Sequence, residues 1–239
     1  MSVRAQAAAG LALAGGILAA WALVLSFALF AEARWIRAAA PGLVLLICWL
    51  DVGLFIVAHD AMHGSLAPGR PRLNAAVGGL ALACYAGFAY RRLKAKHGAH
   101  HRHPGTVDDP DFHAGDGGFW PWYGTFLRRY FGLRELAVLS LILGAVLLLL
   151  HAPLARLLLF WALPAILSSL QLFLFGTWLP HRPGRSPFAD AHRARSSGYG
   201  SLASLLTCFH FGYHHEHHRA PHLPWWRLPG ERRRTTSPR

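Results

Sequence analysis

The sequence predicts an all-α integral membrane protein. Four spanning helices form two hairpins, a re-entrant or interfacial helical segment lies between the hairpins, and a histidine-rich helical cap sits on the cytoplasmic face. Three observations predict this. Of 239 residues, 54% are hydrophobic and only 15% are charged, with a mean hydropathy of +0.29. The net charge is nevertheless +13, because 24 Lys and Arg stand against 11 Asp and Glu. Strong apolarity combined with strong basicity describes a membrane protein whose charges are gathered in a few loops. Finally, most of the 16 histidines fall into tight groups that lie next to the apolar stretches.

A spanning helix needs about 20 apolar residues. Residues 10–31 and 41–58 satisfy this and are joined by the short polar turn 32–37, a first hairpin. Residues 136–150 and 157–178, joined by His151-Ala152-Pro153, form a second. The segment 7–30 is too long for the apolar core of a cleavable leader and follows only Arg4, so it reads as a spanning helix. The apolar stretch 73–90 has groups of histidines on both sides of it, and crossing the membrane would separate them. It is therefore read as re-entrant or interfacial, with Gly78-Gly79 and Gly87 permitting the bend. Residues 1–230 form one domain, and the basic tail 231–239 is expected to be disordered.

With both hairpins pointing the same way, 21 of the 24 basic residues and 15 of the 16 histidines fall on one side. Arg34, Arg37, Arg156 and His151 fall on the other. By the positive-inside rule the histidine face is cytoplasmic, which in a bacterium places the chain in the inner membrane. The basic residues are not collected on a polar domain able to track phosphates, which argues against nucleic acid as a partner. Cys48, Cys84 and Cys208 are scattered, without a C-x-x-C pair, and suggest neither a disulfide scaffold nor a thiolate site. The aromatic runs 119–123 and 224–226 suit headgroup depth.

Residues three and four apart share a helix face. His59 and His63 therefore present two imidazoles to one point, His97 joins His100 and His101, and His214 joins His217 and His218. His210 lies one turn before His214, and His181 follows the last spanning stretch directly. Eight or nine imidazoles exceed what one ion holds, since a catalytic zinc takes about three protein ligands. Imidazole suits Zn, Cu, Fe and Ni, so ligand type alone does not select the metal. Soluble di-iron bundles use glutamate with Glu-x-x-His pairs. The chain has only four glutamates, at 32, 135, 216 and 231, which leaves an all-imidazole pair of irons as the oxygen-activating option.

These boxes resemble those of the membrane fatty acid desaturase and hydroxylase superfamily, whose pattern is H-x3-H, H-x2-HH and H-x2-HH. More narrowly, residues 59–64, 100–106, 109–113, 211–218 and Pro221 with Pro224-Trp225-Trp226 resemble bacterial β-carotene ketolases. The resemblance implies a desaturase-like fold holding two iron ions, with dioxygen as co-substrate and electrons from a ferredoxin-like donor. It also implies a carotenoid drawn from the bilayer and oxidised twice at C4 of its β-ionone ring. His59, His63, His97, His100, His101, His214, His217 and His218 match the box positions. His181 is similar to an extra histidine that related desaturases supply after a membrane helix. Those desaturases carry Asn four residues earlier, where this chain has Thr177. His210 and His215 exceed the minimal pattern, and His210 is expected as an added ligand or as a group behind the ligands.

Asp60, Asp108, Asp109, Asp111 and Glu216 lie beside the boxes, where carboxylates commonly take the second N–H of a bound imidazole. Asp51 stands in a spanning stretch two turns before His59 and is expected to hydrogen-bond near the site, since an intramembrane carboxylate is costly. His113, His151, His192 and His222 read as loop or interface residues, with His103 undecided. Rival readings are a carotenoid 3-hydroxylase, a fatty acid desaturase or hydroxylase, and a histidine-rich metal transporter. The last would need ionisable groups in mid-membrane, where Asp51 stands almost alone. No H-E-x-x-H occurs, which argues against an intramembrane metalloprotease.

Overall fold

The computed structural model describes residues 1–184 and 186–236, and the regular structure among them is entirely helical. α1 (Val3–Phe30) starts where the Ser2 hydroxyl accepts the Ala5 amide at 3.2 Å. α2 (Ala33–His63) follows after a two-residue break. The C-terminal end of α1 is closed by Arg156, whose guanidinium donates to the carbonyls of Leu29 at 3.0 Å and Ala31 at 2.7 Å. Carbonyls that a helix end leaves without a partner are thereby satisfied. α2 is the central post, and from Leu50 to Met62 its residues are buried except Phe55. Its run ends at Gly64, in the left-handed conformation at φ 74°, so the chain turns away directly after His63.

The next pair of helices folds back on α2. α3 (Pro71–Ala86) begins with proline at its first position, and the Asn74 side chain ties the preceding loop through the Ala67 amide and carbonyl at 3.1 and 2.7 Å. α3 runs straight through Gly78-Gly79; the bend falls instead at Gly87, φ 66°. There the chain turns through 98° into α4 (Tyr90–Arg102). α5 (Phe119–Tyr130) and α6 (Leu133–Leu149) are likewise bent against each other, by 75°. α7 (Leu154–His181) is one long helical run that contains two π turns, at Leu158–Ala162 and Leu174–Trp178. Short helices α8 (Ser201–Cys208), α9 (His214–Arg219) and α10 (Leu228–Thr236) complete the histidine-rich end.

α1, α2 and α7 are each long and apolar enough to cross a membrane, and the number rises to five if each bent pair is one span. The expected spans 41–58 and 157–178 lie inside α2 and α7, and 10–31 lies inside α1 but for its last residue, the cap Ala31. The expected span 136–150 corresponds to α6, whose 17 residues fall short of a bilayer and pass the length test only together with α5. In the segment expected to be a disordered tail, residues 231–236 are helical, and Arg232 pairs with the buried Glu216 at 2.7 Å. Residues 237–239 lie outside the described residues.

Between apolar helices in lipid, packing rather than the hydrophobic effect supplies most of the attraction. The α1–α2–α7 contact is accordingly dense in large side chains: Trp21, Ile47, Leu54 and Phe160 are buried together with Phe209. A second cluster, with Ala58, Ala61, Ala81, Leu82 and Leu93, seats α3 and α4 against the last turns of α2. This seating carries the second histidine box onto the first.

Candidate metal centre

The box histidines come from four places in the fold: the end of α2, the end of α4, the last residue of α7, and α9. They converge as two groups. His59, His63, His97, His101 and His217 form one, and His100, His181, His214 and His218 the other; within each, the ring nitrogens lie within 4.8 Å of one another. His101 and His218 stack at a centroid distance of 4.2 Å, which sets the groups side by side.

The contacts within each group are between Nε2 atoms. In the first group His63 meets His97 at 2.7 Å, and His217 meets both His59 at 3.2 Å and His101 at 3.0 Å. In the second, His218 meets His100 at 3.2 Å and His214 at 3.1 Å. One ring nitrogen carries at most one proton, so two such contacts at His217 and two at His218 bring lone pairs together. A cation at the shared point relieves that repulsion. Ligands about 2.1 Å from an ion and at right angles are about 3.0 Å apart, which matches these separations. The donor set thus fits two adjacent metal ions. Burial, reinforced by the neighbouring histidines, pushes His214, His217 and His218 well below the usual imidazole range, toward the neutral form that binds metal.

The outer nitrogens have partners of their own. His100 Nδ1 donates to Asp109 at 2.9 Å, and His181 Nδ1 donates to the Arg193 carbonyl at 2.7 Å. With Nδ1 so held, the buried Nε2 of His181 has no hydrogen-bond partner among the described residues and turns toward its group. Burial raises Asp109, but the His100 contact and the Gly105 and Asp111 amides outweigh it and hold the carboxyl below its usual range. Asp111 lies 3.7 Å from His100 and accepts the Tyr130 hydroxyl. His100, Asp109 and Asp111 are close enough to suggest a third ion, but His100 spends its Nε2 on the second group, so the two carboxylates serve as its backing.

The remaining sequence candidates separate cleanly. Asp60 accepts the Trp225 amide at 3.1 Å and stands 3.6 Å from His59, too far for a hydrogen bond. It ties the C-terminal segment to α2. Glu216 does the same from α9, accepting Ser196 and Arg232. Asp108 is exposed, and Asp109 takes the place expected of it. Asp51 does not reach a histidine; buried in α2, it accepts the Trp21 indole N–H at 2.8 Å. His210 belongs to neither group and stacks between Tyr213 and Trp225. His215 lies outside both groups as well and contacts Asp190 at 2.9 Å. Sequence reasoning did not find the Arg193 carbonyl or Tyr130, and it met Phe211 only as part of the 211–218 motif without a role, because nothing local marks a backbone acceptor or a buried ring as part of a site.

An apolar pocket lies between α2, α5 and α7. Phe55, Met62, Phe126 and Leu172 line it, and it reaches His97, His100, His214 and Thr177. The arrangement places two adjacent cation sites against a cleft suited to an apolar molecule.

The fatty acid desaturase family profile matches residues 33–141 and 127–236. A β-carotene ketolase of Paracoccus sp. (strain PC1) is 54% identical over 229 residues, covering 93% of this chain and 92% of that protein. A second, from Paracoccus sp. (strain N81106 / MBIC 01143), is 54% identical over 232 residues, covering 94% and 93%. A zeaxanthin 4-ketolase of Chlamydomonas reinhardtii is 39% identical over 233 residues, covering 92% of this chain and 52% of that protein. The chain therefore belongs to the fatty acid desaturase family, in the group that holds the β-carotene ketolases.

Proposed function

We propose that this chain is a membrane di-iron oxygenase that places keto groups at C4 and C4' of β-ionone rings, converting β-carotene to echinenone and canthaxanthin. The observation that carries the reading is the pair of adjacent imidazole groups, nine histidines in all, facing one apolar pocket. The names of the Paracoccus relatives support the substrate class, and the Chlamydomonas relative supports extension to 3-hydroxylated rings, zeaxanthin to astaxanthin.

His59, His63, His97, His101 and His217 would hold one iron, and His100, His181, His214 and His218 the other. Iron bound there supplies the activation of dioxygen, with electrons from a ferredoxin-like donor. The protein's share is position and dryness. Asp109 and the Arg193 carbonyl fix the orientation of His100 and His181. Phe55, Met62 and Leu172 exclude water and receive the polyene from the bilayer. Allylic C–H bonds are intrinsically weak, so placement of the ring selects C4 over its neighbours. The charge distribution supports a cytoplasmic histidine face in a bacterial inner membrane.

Expression in a β-carotene-producing bacterium tests the reading. Echinenone and canthaxanthin accumulate in air and fail to appear without oxygen or after iron chelation. Unchanged β-carotene with altered fatty acids would return the chain to the lipid oxidases.

A further inference from the structure

Two consecutive residues after α8 are left-handed without being glycine, Phe209 at φ 47° and His210 at φ 62°. Such backbone is strained for a residue with a side chain and persists only where neighbours impose it. Here Phe209 stacks on Trp49 at 4.3 Å, and the His210 amide donates to the Ser204 carbonyl at 2.9 Å. The reversal turns Phe211 inward. Its ring meets His59 of the first group and His214 of the second edge-on, with centroids at 4.9 and 5.0 Å. The same ring lines the apolar pocket.

Facing it is Gly176, inside the second π turn of α7 and also on the pocket wall. A Cβ at position 176 would stand 2.2 Å from Phe211 Cε1, where ordinary contact begins at 3.4 Å. Any side chain there must therefore drive the ring aside by about 1 Å. Neighbouring ring carbons of a carotenoid are themselves about 1.5 Å apart, a C–C bond length. A wall that moves by most of a bond length changes which carbon faces the histidines, and a misplacement of about 1 Å is worth about 100-fold in rate.

We propose that Phe211, seated against Gly176, is the specificity-determining wall that aims C4 of the substrate ring at the two histidine groups. The inference rests on the ketolase reading above. Its distinctive signature is a change in product ratio rather than a loss of iron.

The test compares the unaltered chain with Gly176→Ala, Phe211→Leu, Phe211→Ala and the Gly176→Ala/Phe211→Leu double variant in a β-carotene-producing bacterium. Membrane abundance and iron per chain are measured beside the carotenoids, which are separated by chromatography. Gly176→Ala is expected to lower the share of C4-oxidised carotenoids (4-keto and 4-hydroxy together) among oxidised products by about tenfold or more, with products oxidised at another ring carbon such as C3 rising. The double variant, whose Leu lacks the Cε1 and Cζ atoms and can rotate its branch away from the new methyl, recovers the unaltered ratio to within about threefold. If Gly176→Ala does not accumulate, the two Phe211 variants decide. Product ratios in both within about twofold of the unaltered chain overturn the proposal, whether or not iron is lost. Absence of any keto product from the unaltered chain overturns the ketolase reading itself.

Discussion

Asp109 accepts the Nδ1–H of His100 at 2.9 Å with one oxygen, while its other oxygen takes the Gly105 amide at 2.7 Å. A carboxylate gripped from both sides gives His100 one tautomer and one ring orientation. Removing such a partner generally costs 10- to 100-fold in metal affinity or activity, roughly. Asp109→Asn is therefore expected to lower iron per chain and keto-carotenoid yield by about that factor. Asp108→Ala, one residue away but exposed, leaves both unchanged. Equal losses in the two variants would show that the acidic loop matters only as a whole.

The side-by-side histidine groups predict a stepwise loss of metal. His217 contacts two partners of the first group, and His214 and His181 belong to the second alone. His217→Ala should take purified protein from about two irons per chain to about one, and His214→Ala the same from the other side. Either change should reduce activity by about 100-fold or more, since in the proposed reaction the two sites act together. Elemental analysis of detergent-purified protein checks the stoichiometry, and full retention of iron in either variant would contradict the grouping.

Asp51 and Trp21 form a separate unit within the α1–α2 contact. The second carboxylate oxygen of Asp51 is buried without a partner among the described residues, so the indole N–H is its one hydrogen bond there. Trp21→Phe strands that oxygen pair and should destabilise the protein by about 1–3 kcal/mol. Thermal unfolding in detergent reads the loss, while iron per chain stays the same. A fall in iron instead would restore Asp51 to the site.

His210 predicts an acid sensitivity. Burial pushes its imidazole down to about 4. The unfolded chain protonates near the ordinary value of about 6.5, so between those values the unfolded state binds the extra proton. Stability is then full above about pH 6.5 and falls as the pH drops toward 4. Asparagine tolerates the left-handed backbone at this position. His210→Asn should flatten the slope of melting temperature against pH in that window. An unchanged slope would assign the acid lability to the other histidines.

Much of the site was readable from local spacing. His59 with His63, and His214 with His217 and His218, share helix faces, and periodicity exposes that without any fold. The allocation was not readable. His100 and His101 are adjacent in sequence yet serve different groups, because successive residues on α4 point about 100° apart, and two partners stand in those two directions. Similarly, three aspartates within four residues look alike in a sequence, and only the loop between α4 and α5 turns Asp109 rather than Asp108 toward His100. The α5–α6 bend was hidden for another reason: the apolar run 136–150 says nothing of the angle at Phe131-Gly132.

By itself, then, the sequence determined the all-helical membrane character, the existence of imidazole claws and the residues composing them. Each of these follows from composition and from the 3.6-residue period, which are properties of short stretches. Tertiary structure alone decided which claws converge in one group, which carboxylate backs which ring, and that Phe211 touches both groups while lining the pocket. Those are distances between residues as far apart in the chain as His59 and His217, and only the packing of α3 and α4 against α2, with the C-terminal segment folded over them, brings such groups within bonding range.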